Sequence, residues 1–325
     1  MRDSTPAHDP RRPVYHHLQD LPQGRELVVA LYTKGCLYRR CSFCSLPDLS
    51  AGGAEVCSSD IRAQMDYVIS ACSAEQRASV RRFSLYNSGS VLDRRTVPTD
   101  ALWYILDQLK DFPSLAEVCL DTRCEFVEDW ELDELKRRLH GRRLALAVGY
   151  ETADERIRNE VLRKGLTEAT FQGLCRQLAA KGVRLKAYVM VKPDAALSER
   201  EGIEEAVRTL EHLADTGRLL GLEVEAHLNP TYVARGSRLE AEFQVKHYVP
   251  PRLWSLVDIV SRMEGCGVPI QIGLHTEGLE VQGGTVRNCG RCDETVRQAL
   301  QAFSGSQDYG RLRALDGACP CRAMV

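Results

Sequence analysis

Three cysteines in one short loop constrain this chain more than any other feature of its sequence. Cys36, Cys41 and Cys44 stand in a C-x4-C-x2-C pattern directly after the apolar run 27–31. Three thiolates can bind three irons of a 4Fe–4S cluster and leave the fourth iron without a protein ligand. The pattern favours S-adenosylmethionine at that open iron, because its amino and carboxylate groups can chelate the metal. Phe43 precedes the last cysteine and is expected to pack against the adenine.

The same loop has a second interpretation as a zinc site. C-x2-C is also a zinc-binding spacing, so the three cysteines would be joined by a fourth ligand further along the chain. The position of the loop favours the cluster, since a zinc knuckle rarely follows a buried first strand. The chain has 13 cysteines, and the segment 1–13 has no signal-peptide core. Metal or cluster ligation is therefore expected rather than disulfides.

The composition predicts an enzyme of the cytoplasm. With 325 residues, 44% hydrophobic and 27% charged, the chain can bury a substantial core. No apolar run approaches the roughly 18 residues of a membrane span. The net charge of −2 gives no general attraction to nucleic acid.

Strand-like and helix-like runs alternate along the chain and predict parallel βαβ units. The strand-like runs cover 27–32, 82–86, 117–120, 144–148, 185–191 and 222–227. The helical runs cover 61–69, 101–109, 131–139, 153–162, 170–180 and 201–213. Six units are too few for a closed eight-fold barrel, so the expected fold is α/β, a partial (β/α)6 TIM barrel. We expect a loose N-terminal arm over 1–26, the barrel over 27–230 and a Cys-rich C-terminal extension over 231–325.

Polar residues follow the predicted strands, where the functional groups of such a barrel lie. Asn87, Ser88, Gly89 and Ser90 follow the second strand and are candidates for binding a small amino acid, although an ordinary turn has the same composition. On the later strands or just after them, Arg123, Lys186 and Lys192 are candidate catalytic residues, and Glu151, Arg156 and Asn229 are candidates for cofactor binding. Glu151 could bind ribose hydroxyls and Arg156 a carboxylate, or they could be a helix-start acid and a surface arginine.

A second group of cysteines stands near the C-terminus. Cys289 and Cys292 form a C-x2-C pair, and Cys319 and Cys321 follow a predicted helix over 294–303. Two close pairs of thiolates suit a tetrahedral zinc ion and also suit an auxiliary iron–sulfur cluster. Either site would be closed and structural.

Several of these motifs together resemble the radical SAM superfamily. They are the cysteine loop, Asn87 to Ser90, Gly149-Tyr150-Glu151-Thr152 and Lys192-Pro193. Leu228-Asn229-Pro230-Thr231, the segment 248–255, Asn288 to Asp293 and the segment 303–308 are similar to a narrower group, which includes the archaeosine synthase radical SAM subunit. The resemblance implies a partial TIM barrel, a 4Fe–4S cluster, S-adenosylmethionine and an electron donor such as flavodoxin or ferredoxin. It also implies radical C–N or C–H chemistry on a 7-deazaguanine-type base of tRNA.

Two other functions compete with tRNA modification. The acidic balance and the 6% aromatic content favour a small metabolite as the substrate, because few stacking platforms for bases are present. A tRNA substrate would then need a partner protein or a local basic patch. Arg39 and Arg40 beside the cysteine loop are candidates for an anionic substrate, whereas the basic run 136–143 is interpreted as the cationic end of a helix. A non-catalytic zinc-binding scaffold is the alternative of another class.

Overall fold

The computed structural model of the chain describes residues 8–324, in which strands and helices alternate. The strands are β1 (Tyr15–Leu21), β2 (Gly24–Leu31), β3 (Val80–Asn87), β4 (Glu117–Thr122), β5 (Arg143–Glu151), β6 (Arg184–Val191), β7 (Val224–Pro230) and β8 (Ile270–Ile272). The helices are α1 (Ser58–Ala71), α2 (Ala74–Ser79), α3 (Thr99–Gln108), α4 (Asp129–Arg138), α5 (Glu168–Lys181), α6 (Glu199–Leu220), α7 (Arg238–Gln244), α8 (Leu253–Arg262), α9 (Asp293–Ser306) and α10 (Gly310–Arg313). All six strands predicted from the sequence are present as β2 to β7.

The chain divides into two compact units, the first of which comprises residues 1–39 and 46–146. In it β1 pairs antiparallel with β2, and β2, β3 and β4 run parallel. Residues 27–31 of β2 are all buried, as expected for a parallel strand that is covered on both faces. A buried ionic cluster supports the start of the sheet, since Arg82 lies 3.4 Å from Glu26 and 3.2 Å from Glu117.

The second unit comprises residues 40–45 and 147–325. Here β6, β7 and β8 run parallel. Helix α6 between β6 and β7 is clearly delimited by its sequence. Ser198 caps its first turn in a capping box with Glu201, and Gly221 ends it at a φ of 63°.

The structure differs from the sequence-based expectation at three places. Residues 15–21 of the expected arm form β1, because the turn at Pro22 and Gln23, closed by Gly24 at a φ of 120°, folds them back on β2. Residues 1–7 of that arm lie outside the described residues. Strand β8 is present in addition to the six predicted strands. The predicted domain boundaries at 26 and 230 stay predictions.

The third difference is the helix expected over 153–162, which is replaced by a short helical segment over 155–161 whose last five residues, Ile157–Val161, are π-helical. The cause is Arg158, whose side chain is fully buried. Its guanidinium donates to the carbonyl oxygens of Thr152 and Leu166 at 2.6 and 2.8 Å and lies 3.2 Å from Glu168. The backbone winds around this buried cation instead of continuing as an α-helix. Among the described residues, no helix is long and apolar enough to span a membrane.

Candidate active site and metal centre

In the first unit, Cys36 lies against the loop that follows β3. Its amide donates a 2.5 Å hydrogen bond to the carbonyl oxygen of Ser88. Gly89 makes this approach possible, because a Cβ there would lie only 2.9 Å from both Cα and N of Cys36. The structure thus brings together the first predicted cluster ligand and the predicted Asn87–Ser90 loop.

Asn87 is buried at the centre of this loop. Its amide nitrogen has three long contacts, to the hydroxyls of Thr33 at 3.4 Å and Thr96 at 3.3 Å and to the carbonyl oxygen of Ser90 at 3.3 Å. Its buried Oδ1 accepts no hydrogen bond from the described residues. An unsatisfied buried acceptor favours a ligand with an N–H donor, and the amino group of S-adenosylmethionine is such a donor. The residues present therefore fit that cofactor.

Arg123 follows β4 and its side chain is only 10% exposed. The guanidinium lies 2.5 Å from Glu125 and 4.1 Å from the centre of the Tyr38 ring. Ser90 Oγ lies 2.7 Å from the hydroxyl of Thr122, the last residue of β4. Sequence reasoning selected Arg123 and Ser90 but missed Tyr38 and Thr122, whose contacts depend on the fold.

The segment 40–45, which carries Cys41 and Cys44, is fixed within the second unit by backbone hydrogen bonds. The amide and hydroxyl of Ser42 donate to the carbonyl oxygens of Leu162 at 3.0 Å and Val161 at 2.7 Å. The carbonyl oxygen of Ser42 accepts from the amide of Arg238 at 2.9 Å. Phe43 is partly buried against an apolar cluster formed by Ile157, Leu162 and Met190. The turn between the two cysteines is therefore anchored by the protein itself.

Glu151 and Arg156 lie at the end of β5 and just beyond it. Glu151 is buried with a φ of 69°, and Lys164 lies 2.8 Å from its carboxylate. Arg156 is 55% exposed and stands 3.6 Å from Asp194. Both predicted ligand-binding residues thus have protein partners, and the exposed pair of Arg156 is the weaker of the two.

The candidates on β6 and β7 are also engaged with neighbours. The Lys192 ammonium donates to the carbonyl oxygen of Val249 at 2.9 Å and lies 3.3 Å from Glu199. Lys186 is buried, with its ammonium 5.8 Å from the centre of the Tyr188 ring. Asn229 Oδ1 lies 2.9 Å from Nδ1 of His227.

The four C-terminal cysteines form a compact tetrad within the second unit. All four sulfur atoms lie within 4.8 Å of one another. The Sγ–Sγ distances are 3.9 Å for Cys289–Cys292, 3.7 Å for Cys289–Cys319 and 3.5 Å for Cys292–Cys321. Four ligands at a metal–sulfur distance of about 2.3 Å stand about 3.8 Å apart at the corners of a tetrahedron. The tetrad therefore has the dimensions of a site for one metal ion.

Two N–H groups point at the sulfur atoms of this tetrad. The indole Nε1 of Trp254 donates to Cys321 at 3.2 Å, and the amide nitrogen of Asn288 donates to Cys292 at 3.4 Å. The backbone amide of Arg291 is the main cause that lowers the pKa of the Cys289 thiol to about 6, whereas burial raises the pKa of Cys321. Donors aimed at sulfur stabilise thiolates and orient metal ligands. Sequence reasoning identified the four ligands but not these two donors.

The chain is similar to archaeal proteins over most of its length. It is 27% identical over 311 residues to an uncharacterised protein from Methanocaldococcus jannaschii, covering 94% of this chain and 82% of that protein. It is 26% identical over 307 residues to archaeosine synthase subunit beta from Methanosarcina acetivorans, covering 93% of this chain and 84% of that protein. No family model matches the sequence.

Among solved structures, methylornithine synthase has a similar fold. It matches with a TM-score of 0.51 at 12% identity, over 80% of this chain and 70% of that chain. The predicted resemblance to the radical SAM superfamily and to archaeosine synthase is confirmed. The predicted fold class, an α/β partial barrel with a Cys-rich C-terminal extension, is also confirmed. So is the prediction that the chain is an enzyme.

Proposed function

We propose that this chain uses a 4Fe–4S cluster, bound by Cys36, Cys41 and Cys44, to cleave S-adenosylmethionine reductively. When bound, the cluster would supply the electron that splits the sulfonium into methionine and a 5′-deoxyadenosyl radical. The observation that carries the proposal is the C-x4-C-x2-C loop, which follows a buried strand in a chain similar to archaeosine synthase subunit beta.

The roles of this chain's own residues follow from their surroundings. The acceptor Oδ1 of Asn87 would receive the amino group of S-adenosylmethionine, and the backbone of Ser88 to Ser90 would flank it. Glu151 would bind ribose hydroxyls after release from Lys164, and Phe43 would contact the adenine. Arg156 and Asn229 are the other proposed cofactor contacts. Arg123, Lys186 and Lys192 are the proposed groups on the substrate side.

The substrate that the relatives favour is a 7-deazaguanine-type base in tRNA. Two relatives carry the name archaeosine synthase subunit beta, one from Methanosarcina acetivorans and one from Thermococcus kodakarensis. Because these relatives are named as subunits, we propose that this chain also acts with a partner protein. We therefore propose C–N or C–H bond chemistry on such a base, with flavodoxin or ferredoxin as the electron donor and a cytoplasmic location.

A small metabolite is the second candidate substrate. The net charge of −2 favours it, since binding to the phosphate backbone depends on clustered cations. Binding of bulk tRNA at 50 and 200 mM salt separates the two. Affinity that falls steeply with salt supports tRNA, whereas no binding at either concentration supports the metabolite.

At the C-terminal tetrad we propose zinc. Four sulfur atoms within 4.8 Å fit a single ion, whereas a cubane cluster places each thiolate on a different iron and so separates the sulfur atoms further. The zinc would join the segment around 289–292 to the segment around 319–321. The site would be closed, because all four tetrahedral positions are filled by protein.

The proposal is tested by anaerobic purification and cluster reconstitution, followed by dithionite and S-adenosylmethionine. We expect about four irons and one zinc per chain, and 5′-deoxyadenosine from the wild type but not from Cys41→Ala. Cys57→Ser is the matched control, because Cys57 is an exposed residue that caps α1. A chain that binds zinc alone at both cysteine groups would be a scaffold, and the radical mechanism would be rejected.

A further inference from the structure

A cavity of about 100 Å³ lies within the second unit, where β7 and β8 end. Pro230, the last residue of β7, and Gly273, directly after β8, form part of its wall. Ligands of parallel α/β folds bind at the carboxyl ends of the strands. The cavity is large enough for several water molecules and so for a small polar group, but it is too small for a nucleobase with its sugar.

One part of the cavity wall adjoins a short ribbon built from two loops. The amide of Val233 donates to the carbonyl oxygen of Gly284 at 2.8 Å. The amide of Val281 donates to the carbonyl oxygen of Val233 at 2.9 Å. The amide of Arg235 donates to the carbonyl oxygen of Leu279 at 2.9 Å. Tyr232 and Thr285 of the cavity wall adjoin the first of these paired residues. Regular backbone pairing therefore joins the two loops that carry these wall residues.

Arg297 of α9 brings a positive charge to this wall. Its guanidinium makes one long hydrogen bond, 3.4 Å from Nη2 to the carbonyl oxygen of Val286. Within residues 8–324 no carboxylate lies within ion-pair distance of it, and the cavity wall contains no acidic residue. By contrast, the partly or wholly buried Arg123 and Arg158 each meet a glutamate.

The remaining polar groups of the wall suit the same kind of ligand. Thr285 contributes a hydroxyl, and Tyr232 and His275, which also have partners within the protein, contribute a phenol and an imidazole. The hydroxyl of Thr276 is already used, since it donates to Glu280 at 2.6 Å. An arginine fork with neighbouring hydroxyls is a common arrangement for a carboxylate or phosphate, because the planar guanidinium matches two oxygens at once.

We propose that this cavity binds an oxyanion group of the substrate, a carboxylate or a phosphate, with Arg297 as its main partner. The inference rests on the proposed function only in assigning the anion to the substrate. Binding there would anchor the substrate at a point away from the reacting bond, so that the bond is held in a fixed orientation. Arg297 is thus a substrate-binding residue that sequence reasoning did not select.

Arg297 and the cysteine tetrad are linked through helix α9. Cys292 is the residue before α9, which begins at Asp293, and Arg297 is the fifth residue of that helix. A metal ion on Cys292 would therefore fix the helix end that carries Arg297. The C-terminal metal site would then have a second role besides joining two segments.

The test is a ligand-observed NMR titration of the full, zinc-loaded chain. The probes are inorganic phosphate, N-acetylglycine as a carboxylate and N-acetylglycinamide as its neutral analogue. We expect the wild type to bind one of the two anions saturably and at least tenfold more tightly than the amide. The anion that binds identifies the group as carboxylate or phosphate. Arg297→Gln should lose this preference.

Arg287→Gln is the matched control, because Arg287 is an exposed arginine close in sequence that does not line the cavity. Any of three results would overturn the inference. The wild type and Arg297→Gln could bind the anion equally, both variants could lose anion binding equally, or the wild type could show no saturable anion binding. Zinc content and circular dichroism must match among the three proteins. Formation of 5′-deoxyadenosine by the wild type is measured separately, so that failure of the radical mechanism and failure of anion binding are distinguished.

Discussion

The amide of Cys36 donates a 2.5 Å hydrogen bond to the carbonyl oxygen of Ser88. This bond joins the first cysteine of the proposed cluster to the loop that is proposed to bind the amino-acid end of S-adenosylmethionine. Gly89 permits the contact because it has no side chain at the point of closest approach. The two proposed binding functions therefore depend on one backbone contact.

We expect Gly89→Ala to displace the Cys36 loop. The added Cβ would lie 2.9 Å from backbone atoms of Cys36, which cannot rotate away as a side chain could. Overpacking of this kind costs about 1 to 3 kcal/mol. Reconstituted iron per chain and the thermal unfolding midpoint should both fall. Gly53→Ala is the control, since nothing lies within 4 Å of its Cβ position, and equal behaviour of the two variants would contradict the prediction.

We expect Cys292→Ser to abolish metal binding at the C-terminal tetrad. Zinc measured by mass spectrometry should fall from about one ion per chain to nearly none, because one of four thiolate ligands is lost. Hydrogen exchange should accelerate over 288–306, where the helix start loses its anchor. Cys57→Ser should change neither quantity. The role would be disproved if the wild type contained no metal and its hydrogen exchange over 288–306 were as fast as that of Cys292→Ser.

Glu168 makes the stability of the second unit depend on pH. Burial alone would raise the pKa of its carboxyl, but hydrogen bonds from His212, Gln172 and Tyr150 outweigh burial and lower this pKa to about 2. A carboxyl with a lower pKa in the folded state stabilises the fold above its unfolded pKa of about 4.5. That contribution is lost as the pH falls from about 4.5 toward 2.

The measurement is urea unfolding of the wild type and Glu168→Gln at pH 6 and pH 3. The wild type should be more stable by about 1 to 2 kcal/mol at pH 6, after allowance for a side chain that is one-third exposed. The difference should shrink at pH 3. Glu160→Gln, at an exposed position, should show no such change. A constant difference at both pH values would contradict the assignment.

We expect Lys192→Met to destabilise the protein. The carboxylate of Glu199, whose side chain is only 20% exposed, would lose its positive partner and keep the amide of Arg252 and the hydroxyl of Ser255 as donors. Removal of one member of such a pair costs about 3 to 5 kcal/mol when the pair is fully buried and less for this partly exposed one. The double variant Lys192→Met/Glu199→Gln should recover part of this loss in thermal unfolding. Full stability of Lys192→Met would contradict this stabilising role and leave Lys192 with only its proposed role on the substrate side.

Much of the fold could be predicted because buried parallel strands are continuous apolar runs. The run 27–31 identified β2, and similar runs identified the next five strands. The π-helical turn Ile157–Val161 could not be predicted, since its cause is a charged residue, Arg158, that is buried among carbonyl oxygens. Local spacing cannot reveal that burial.

The cysteines of the candidate site could be predicted from the sequence, whereas the residues that contact the site residues could not. Sequence spacing identified the tetrad, but Trp254, which donates to Cys321, lies on another helix, 67 residues away in the chain. Lys192 and Arg123 were selected as polar residues at strand ends. Their pairing with Glu199 and Glu125 depends on the folded chain. Arg297 lies within a helix, where no strand-end rule selects it.

Helix α9 begins directly after a cysteine of the tetrad and carries Arg297 in its second turn. If the metal ion fixes that start, an anion bound at Arg297 should raise the affinity of the tetrad for its metal, and by thermodynamic reciprocity the metal should raise the affinity for the anion by the same factor. Metal supply in the cell would then act on substrate affinity. A chain that has lost its zinc would be a weaker catalyst at low substrate concentration, even with its iron–sulfur cluster intact.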